Sequence, residues 1–384
     1  MELDVTDPEF VLEWPKEIFK AETLSLLKRR GNPADAFDFL LDEAFAGSTP
    51  ASEFRMAVPF ASGFGGGNPS AERDARALMA SYLNQLGKLR VPGQRMPYWH
   101  ESRLPAEPMK LTESLHVAWR LIVTDLEDSG YFYREVQPCV DGPSWEEYTS
   151  HMENKIMRTA GLQVKWPLQI DEDPVFQDEN LFYGLVECLA DLVARPRARS
   201  LHNYAECGWH YSDFYFPTGQ AIYTWKVNTL FERYGLALAL ETQGELRGRL
   251  VRTTDASRQD LVERAARSPD ASISGRVVTA VNQYRLRGAT VHDKRSACTS
   301  LAAILEKRRP LLKEQLLSKD EGALFRIANE FEVRHYRAHE ERDYDEAFLD
   351  WIFWWFLATV DLTETILERQ NGAGSSISKK PTMT

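Results

Sequence analysis

Cysteine is scarce in this chain and shows no clustered spacing. Cys139, Cys188, Cys207 and Cys298 are scattered over 384 residues without a CxxC pair. That argues against the disulfide framework of a small secreted domain and for a reducing compartment. The opening residues, MELDVTDPEFVLEW, are acidic and have no apolar core, so they do not read as a signal peptide. Long apolar runs are also missing. The longest, WIFWWFLATV from Trp351 to Val360, is bounded by Asp350 and Asp361, whereas a membrane span needs about 20 apolar residues. The glycine-rich stretch from Gly63 to Ser70 lacks the Lys-Ser/Thr of a phosphate-binding loop, and neither GxSxG nor HExxH is present. The carboxylate pairs Glu146/Glu147, Glu340/Glu341 and Asp343/Asp345 form no familiar acid–base set. The expectation is a soluble cytoplasmic protein with no membrane partner, and no cofactor is called for.

What is present suits a folded, mainly α-helical chain. The apolar fraction is 43% and the charged fraction 27%, as in globular proteins. Nineteen Phe, fourteen Tyr and ten Trp provide large side chains for more than one core. A net charge of −11 argues against a general nucleic-acid coat protein but leaves room for a local basic patch. One such segment runs from Arg285 to Lys319, where nine basic residues face three acidic ones. Arg285, Lys294, Arg295, Arg308 and Arg309 are its candidate phosphate contacts; the plainer alternative is a solvated helix face.

Composition and periodicity divide the chain into four parts. Residues 1–110 are a helical region of unassigned role, ending in a Pro-rich stretch. Residues 111–252 are an α-rich module closed by a β-hairpin, LALALETQGELRGRLV, turning at Gln243-Gly244. Residues 253–370 begin with a connecting helix or hinge and continue as helices over about 271–288, 294–317, 320–337 and 344–370, separated by short breaks that suit an antiparallel bundle. The tail from Asn371 is poor in apolar residues and is expected to be disordered. In the last helix Phe348, Trp351, Ile352, Trp355, Phe356, Thr359 and Leu362 share a face that Phe353, Trp354 and Leu357 widen. A stripe that wide predicts burial on two sides, one of them against a second subunit.

The segment FRIANEFEVRHYRAHEERDYDEAFLDWIFWWFLATVDLTETI resembles the catalytic end of HEPN domains, helical bundles found in ribonucleases of toxin and phage-defence systems. That family carries an Arg, a polar neighbour and a His four to six positions on, followed by a long closing helix. Arg334, His335 and His339 match in that order, and the resemblance covers roughly residues 270–370. It implies a metal-independent, homodimeric endoribonuclease of phage defence or stress. Arg334 would grip the scissile phosphate, His339 would move the proton, and His335 would orient or assist. Upstream, LFYGLVECLADLVA, VNTLFERYG and the hairpin are similar in order to the N-terminal modules of AbiJ-type abortive-infection proteins, which commonly precede HEPN domains.

The string Arg-x4-His carries little information alone, since chance predicts about 0.7 matches in a chain of this make-up. It occurs four times, at Arg95/His100, Arg197/His202, Arg287/His292 and Arg334/His339. Position favours the last; Arg287/His292, within the basic segment, is the second candidate. The alternative is that these arginines serve ordinary ion pairs, and that the bundle binds nucleic acid or protein without cleaving. A third possibility is structural zinc at His202, Cys207 and His210. Cys207-x2-His210 has ligand-like spacing, but zinc wants four ligands, and Cys139 or His151 could join only through the fold. The neighbouring Trp209, Tyr211, Phe214, Tyr215 and Phe216 equally suit a packed aromatic loop or base stacking.

Overall fold

Amphipathic segments with three- and four-residue apolar spacing dominate the chain, and most of them are helices in its computed structural model, which describes residues 9–58, 69–91, 113–330 and 346–376. The described residues separate into two compact units. The first comprises residues 1–236 and 242–248, the second residues 237–241 and 249–384. The sequence divides the chain at 110 and 252. In the structure residues on both sides of 110 share one unit, and the strands of the predicted hairpin go with the bundle.

The first unit begins with α1 (Lys16–Lys28), α2 (Ala34–Ala44), α3 (Thr49–Ala57) and α4 (Pro69–Gln85). Their apolar faces meet around Phe10, Phe19, Phe37, Phe45, Phe54 and Tyr82, all buried. Several of these rings meet edge to face, as Phe19 and Phe45 do at 5.6 Å, the arrangement that ring quadrupoles favour. Next come α5 (Leu115–Asp128), α6 (Trp145–Ala160) and α7 (Glu179–Leu192), then α8 (Phe216–Arg233). Ser144 and Glu147 form a capping box that starts α6, and left-handed Gly161 ends it.

Between α7 and α8 lies a hairpin that periodicity alone does not announce. Strands β1 (Arg195–His202) and β2 (Gly208–Tyr215) pair antiparallel, with Arg195 opposite Tyr215 and His202 opposite Gly208. Arg195, Arg197 and Arg199 alternate along β1 and so share one face. That face meets the carboxylates of α1 and α2. Glu22 is fully buried. It accepts two bonds from Arg197, at 2.8 and 2.7 Å, one from Arg195 at 3.0 Å, and one from the Thr218 hydroxyl. Arg195 also donates to Glu43 at 2.8 Å, and Arg199 pairs with Asp42. The helix α8 lies so close that a Cβ on Gly219 would stand 2.5 Å from the Arg195 backbone nitrogen; only glycine fits there.

The second unit holds β3 (Leu238–Leu240) and β4 (Leu250–Arg252), the predicted hairpin strands. Its helices are α9 (Ala256–Ala266), α10 (Ala271–Arg285), α11 (Val291–Lys307), α12 (Arg309–Gln315), α13 (Ser318–Glu330) and α14 (Glu346–Ser376). The helix expected over 294–317 is two, because Pro310 stands in the first turn of α12, a position that suits proline and interrupts a preceding helix. Helix α14 runs to Ser376, past the expected start of a disordered tail at Asn371. Ile273, Val277, Val281, Leu301, Leu305, Ile352, Phe356 and Val360 fill the core of this unit. Phe348, Trp351 and Leu362 of α14 remain exposed. Among the described residues no helix is long and apolar enough to cross a membrane.

A buried carboxylate must be neutralised where it sits. Burial alone would push the Glu22 carboxyl up; the Arg197 hydrogen bonds and the charges of Arg195 and Arg197 outweigh that and hold it below its ordinary 4.5. Its stabilising effect is therefore present above the ordinary carboxylate range and lost as pH falls through the lowered folded value. Glu22→Ala would leave two buried guanidinium groups short of a counter-charge and should lower unfolding free energy by about 3–5 kcal/mol in urea melts. A loss below about 1 kcal/mol, the scale of an exposed ion pair, would contradict this.

Candidate functional site

Two places in the described structure gather chemically active side chains, one in each unit. In the second unit a cleft of about 330 Å³ is lined by Arg252, Arg258, Arg285 and Lys294, with Glu346 and Asp350 opposing them and Tyr284 and Trp354 among its walls. Four cations and two carboxylates line it, and two further carboxylates stand just outside, Asp255 at 3.5 Å from Arg258 and Glu241 at 3.8 Å from Arg285. The polar floor is ordered by Asp350, which accepts from the Tyr284 hydroxyl at 2.7 Å and the Trp354 indole at 3.2 Å and pairs with Arg258 at 3.5 Å. Tyr284 is buried and stacks on Phe353 with centroids 3.9 Å apart. Burial raises its hydroxyl well above the ordinary range, and the Asp350 hydrogen bond pushes the same way, so it stays protonated. Lys294 is nearly sealed and pairs with Glu346 at 3.3 Å.

The basic segment divides in the fold. Arg285 and Lys294 come together at this cleft. Arg308 instead bonds Glu364 of α14 at 2.8 Å. Arg309 pairs with Glu321 of α13 at 2.9 Å and lies over the Phe325 ring. Arg295 is exposed on α11. Arg287, half-buried beyond α10, and His292, exposed in the first turn of α11, are not among the residues lining the cleft. Arg334, His335 and His339 lie outside the described residues, as do Arg95 and His100. The remaining pair is structural at one end, since Arg197 is bound to Glu22. Arg252 and Arg258 escaped notice because they stand before the basic segment, in a stretch read as a connector.

In the first unit the β1–β2 hairpin brings together Cys139, His202, Cys207 and His210, whose ligand atoms all lie within 4.8 Å of one another. Cys139 Sγ is 3.7 Å from His202 Nδ1, and Cys207 Sγ is 3.3 Å from His210 Nε2. All four residues are half-buried. His202 ends β1, and His210 lies opposite Ser200 on β2. The hairpin tip turns through Ala205 and Glu206, both at positive φ (48° and 57°), which carries Cys207 back toward the strands. Cys139 arrives on a separate loop tied to β2 by the amide of Gln137. Its nitrogen donates to the Trp209 carbonyl and its oxygen accepts from the Tyr211 N–H, each at 2.8 Å. His151 is placed elsewhere, 3.2 Å from Glu135. Sequence spacing supplied three members of this group, but Cys139 is 63 residues from His202 and only folding brings it in.

No family model matches the chain, and neither curated proteins nor solved structures match it significantly.

The cleft floor depends on the Tyr284 hydroxyl and ring in different degrees. Tyr284→Phe deletes one hydrogen bond and should cost about 1 kcal/mol of unfolding free energy. Tyr284→Ala also removes the ring stacked on Phe353 and should cost about 3–5 kcal/mol. Equal losses in the two variants would show that the ring packing contributes nothing.

Proposed function

We propose that the second unit binds RNA and cleaves it as a HEPN-like, metal-independent endoribonuclease of phage defence or stress response. One observation carries the reading: a cleft in a helical bundle that gathers three arginines and a lysine, with Glu346 in its lining at the point where residues 331–345 rejoin the described chain. That segment contains Arg334, His335 and His339. Closely spaced guanidinium groups suit a phosphodiester chain, since each neutralised phosphate releases counterions. Tyr284 and Trp354, both largely buried, wall the cleft beside the cations.

The chemistry needs only side chains. His339 accepts the proton of a ribose 2′-hydroxyl, and the oxygen so activated attacks the adjacent phosphorus. The bond from phosphorus to the 5′-oxygen breaks, leaving a 2′,3′-cyclic phosphate, and the departing oxygen becomes a 5′-hydroxyl with a proton from water, while His339 returns the proton it accepted to solvent. Arg334 holds the phosphate and offsets the charge that builds on its oxygens in the transition state. A second copy would pair along the exposed Phe348, Trp351 and Leu362 of α14.

RNA incubated with the full chain in buffer without divalent cations should be cut to cyclic-phosphate ends. Arg334→Ala and His339→Ala should each lower the rate by at least about 100-fold, the usual contribution of such groups. Arg252→Ala and Arg285→Ala should each reduce the salt dependence of RNA binding by about one phosphate contact. Cleavage unaffected by the first two variants would overturn the catalytic assignment. Salt-dependent binding without any cleavage would leave a binding module, and absence of both would remove the reading altogether.

A further inference from the structure

We infer that Cys139, His202, Cys207 and His210 form a closed, tetrahedral structural site for one Zn²⁺ ion in the first unit. It is independent of the ribonuclease reading. Bonds of about 2.3 Å to sulfur and 2.0–2.1 Å to nitrogen at a tetrahedral angle set sulfur and nitrogen about 3.6 Å apart. The two sulfur–nitrogen separations, 3.7 and 3.3 Å, bracket that value. The two imidazole rings cross at 74° with centroids 5.0 Å apart, so they approach a common point from different directions rather than stacking.

The surroundings orient two of the four ligands, His202 and Cys139. His202 turns Nδ1 toward Cys139, while its other nitrogen, Nε2, is 3.4 Å from an Asp141 carboxylate oxygen. A carboxylate there fixes the tautomer that leaves Nδ1 free to bind metal. Cys139 Sγ receives the Asp141 backbone N–H at 3.4 Å, which ties the loop's own backbone to the sulfur. Two thiolates and a divalent ion sum to zero charge, so a half-buried site tolerates them. Two sulfur and two nitrogen donors select zinc over the hard cations magnesium and calcium, which prefer oxygen. With four protein ligands no position remains for a substrate, and the role is structural.

What the ion stabilises is also visible. Ala205 and Glu206, two consecutive non-glycine residues at positive φ, are disfavoured there because Cβ crowds the neighbouring carbonyl oxygen. That turn is what places Cys207 beside His210. Zinc would offset the strain and cross-link the Cys139 loop to the hairpin tip, which the Gln137 amide already holds to β2.

Full-length protein purified under reducing conditions without chelator should carry one zinc per chain by elemental analysis. Replacing zinc with Co²⁺ should give the intense visible bands of a tetrahedral ion and sulfur-to-cobalt charge transfer. Cys139→Ser and Cys207→Ser should lose both signals, and Asp141→Ala, at an exposed position, should weaken metal affinity about 10- to 100-fold. His151→Ala, which removes a ring paired with Glu135, should change neither. Thiol counting keeps the test open if a cysteine variant misfolds: in the unaltered protein two thiols should become reactive only after chelation. The inference is overturned if reduced protein takes up neither zinc nor cobalt, if Cys139 and Cys207 are recovered joined as a disulfide, or if a folded Cys139→Ser protein keeps the cobalt spectrum.

Discussion

A carboxylate without solvent organises the first unit. Glu22 sits on α1 with no exposure, and its neutralisation requires guanidinium groups at hydrogen-bonding distance. The sequence that supplies them is more than 170 residues away, on β1. Once Arg195 and Arg197 reach Glu22, the direction of β1 and the face it turns to α1 and α2 follow, and Arg199 falls beside Asp42 on the same face. The other end of the hairpin then projects from the ion-paired base. There His202, Cys207 and His210 meet Cys139. One strand pair is thus held at its base by charge neutralisation in the core, and at its tip it brings sulfur and imidazole donors together.

The second unit follows a different logic. Its core is a conventional helical one, built from the inward faces of α10, α11 and α14, and its charged groups are sorted by where the helices leave room. Arg308 and Arg309 join helices through Glu364 and Glu321. Arg285 and Lys294, from the same basic stretch, instead line an open cleft with Arg252 and Arg258. A count of positive residues along the sequence could not separate these roles, because each is decided by which carboxylate the fold places opposite.

Much of the helical organisation was legible in the chain. The spacing of Phe182, Leu185, Val186 and Leu189 marked α7, and the alternation before Gln243 marked β3, whereas the residues straight after Gly244 form a loop and β4 starts only at Leu250. Pro310 was a local signal for the break between α11 and α12, but the single helix expected over 294–317 ran through it. The β1–β2 hairpin was harder to read, because its alternating arginines are polar in composition yet turn inward. Their partners lie on helices far earlier in the chain, and no local window contains both halves. The ligand-like spacing of Cys207 and His210 was visible for the same reason that Cys139 was ambiguous: short spacings are written in sequence, and long ones are made by folding.

X-ray absorption at the zinc edge on the intact, reduced protein reads the hairpin tip most directly. The account predicts a first shell of two sulfur atoms at about 2.3 Å and two imidazole nitrogens at about 2.0–2.1 Å, with no bound water. A shell made only of oxygen and nitrogen donors, or one containing a single sulfur, would contradict it.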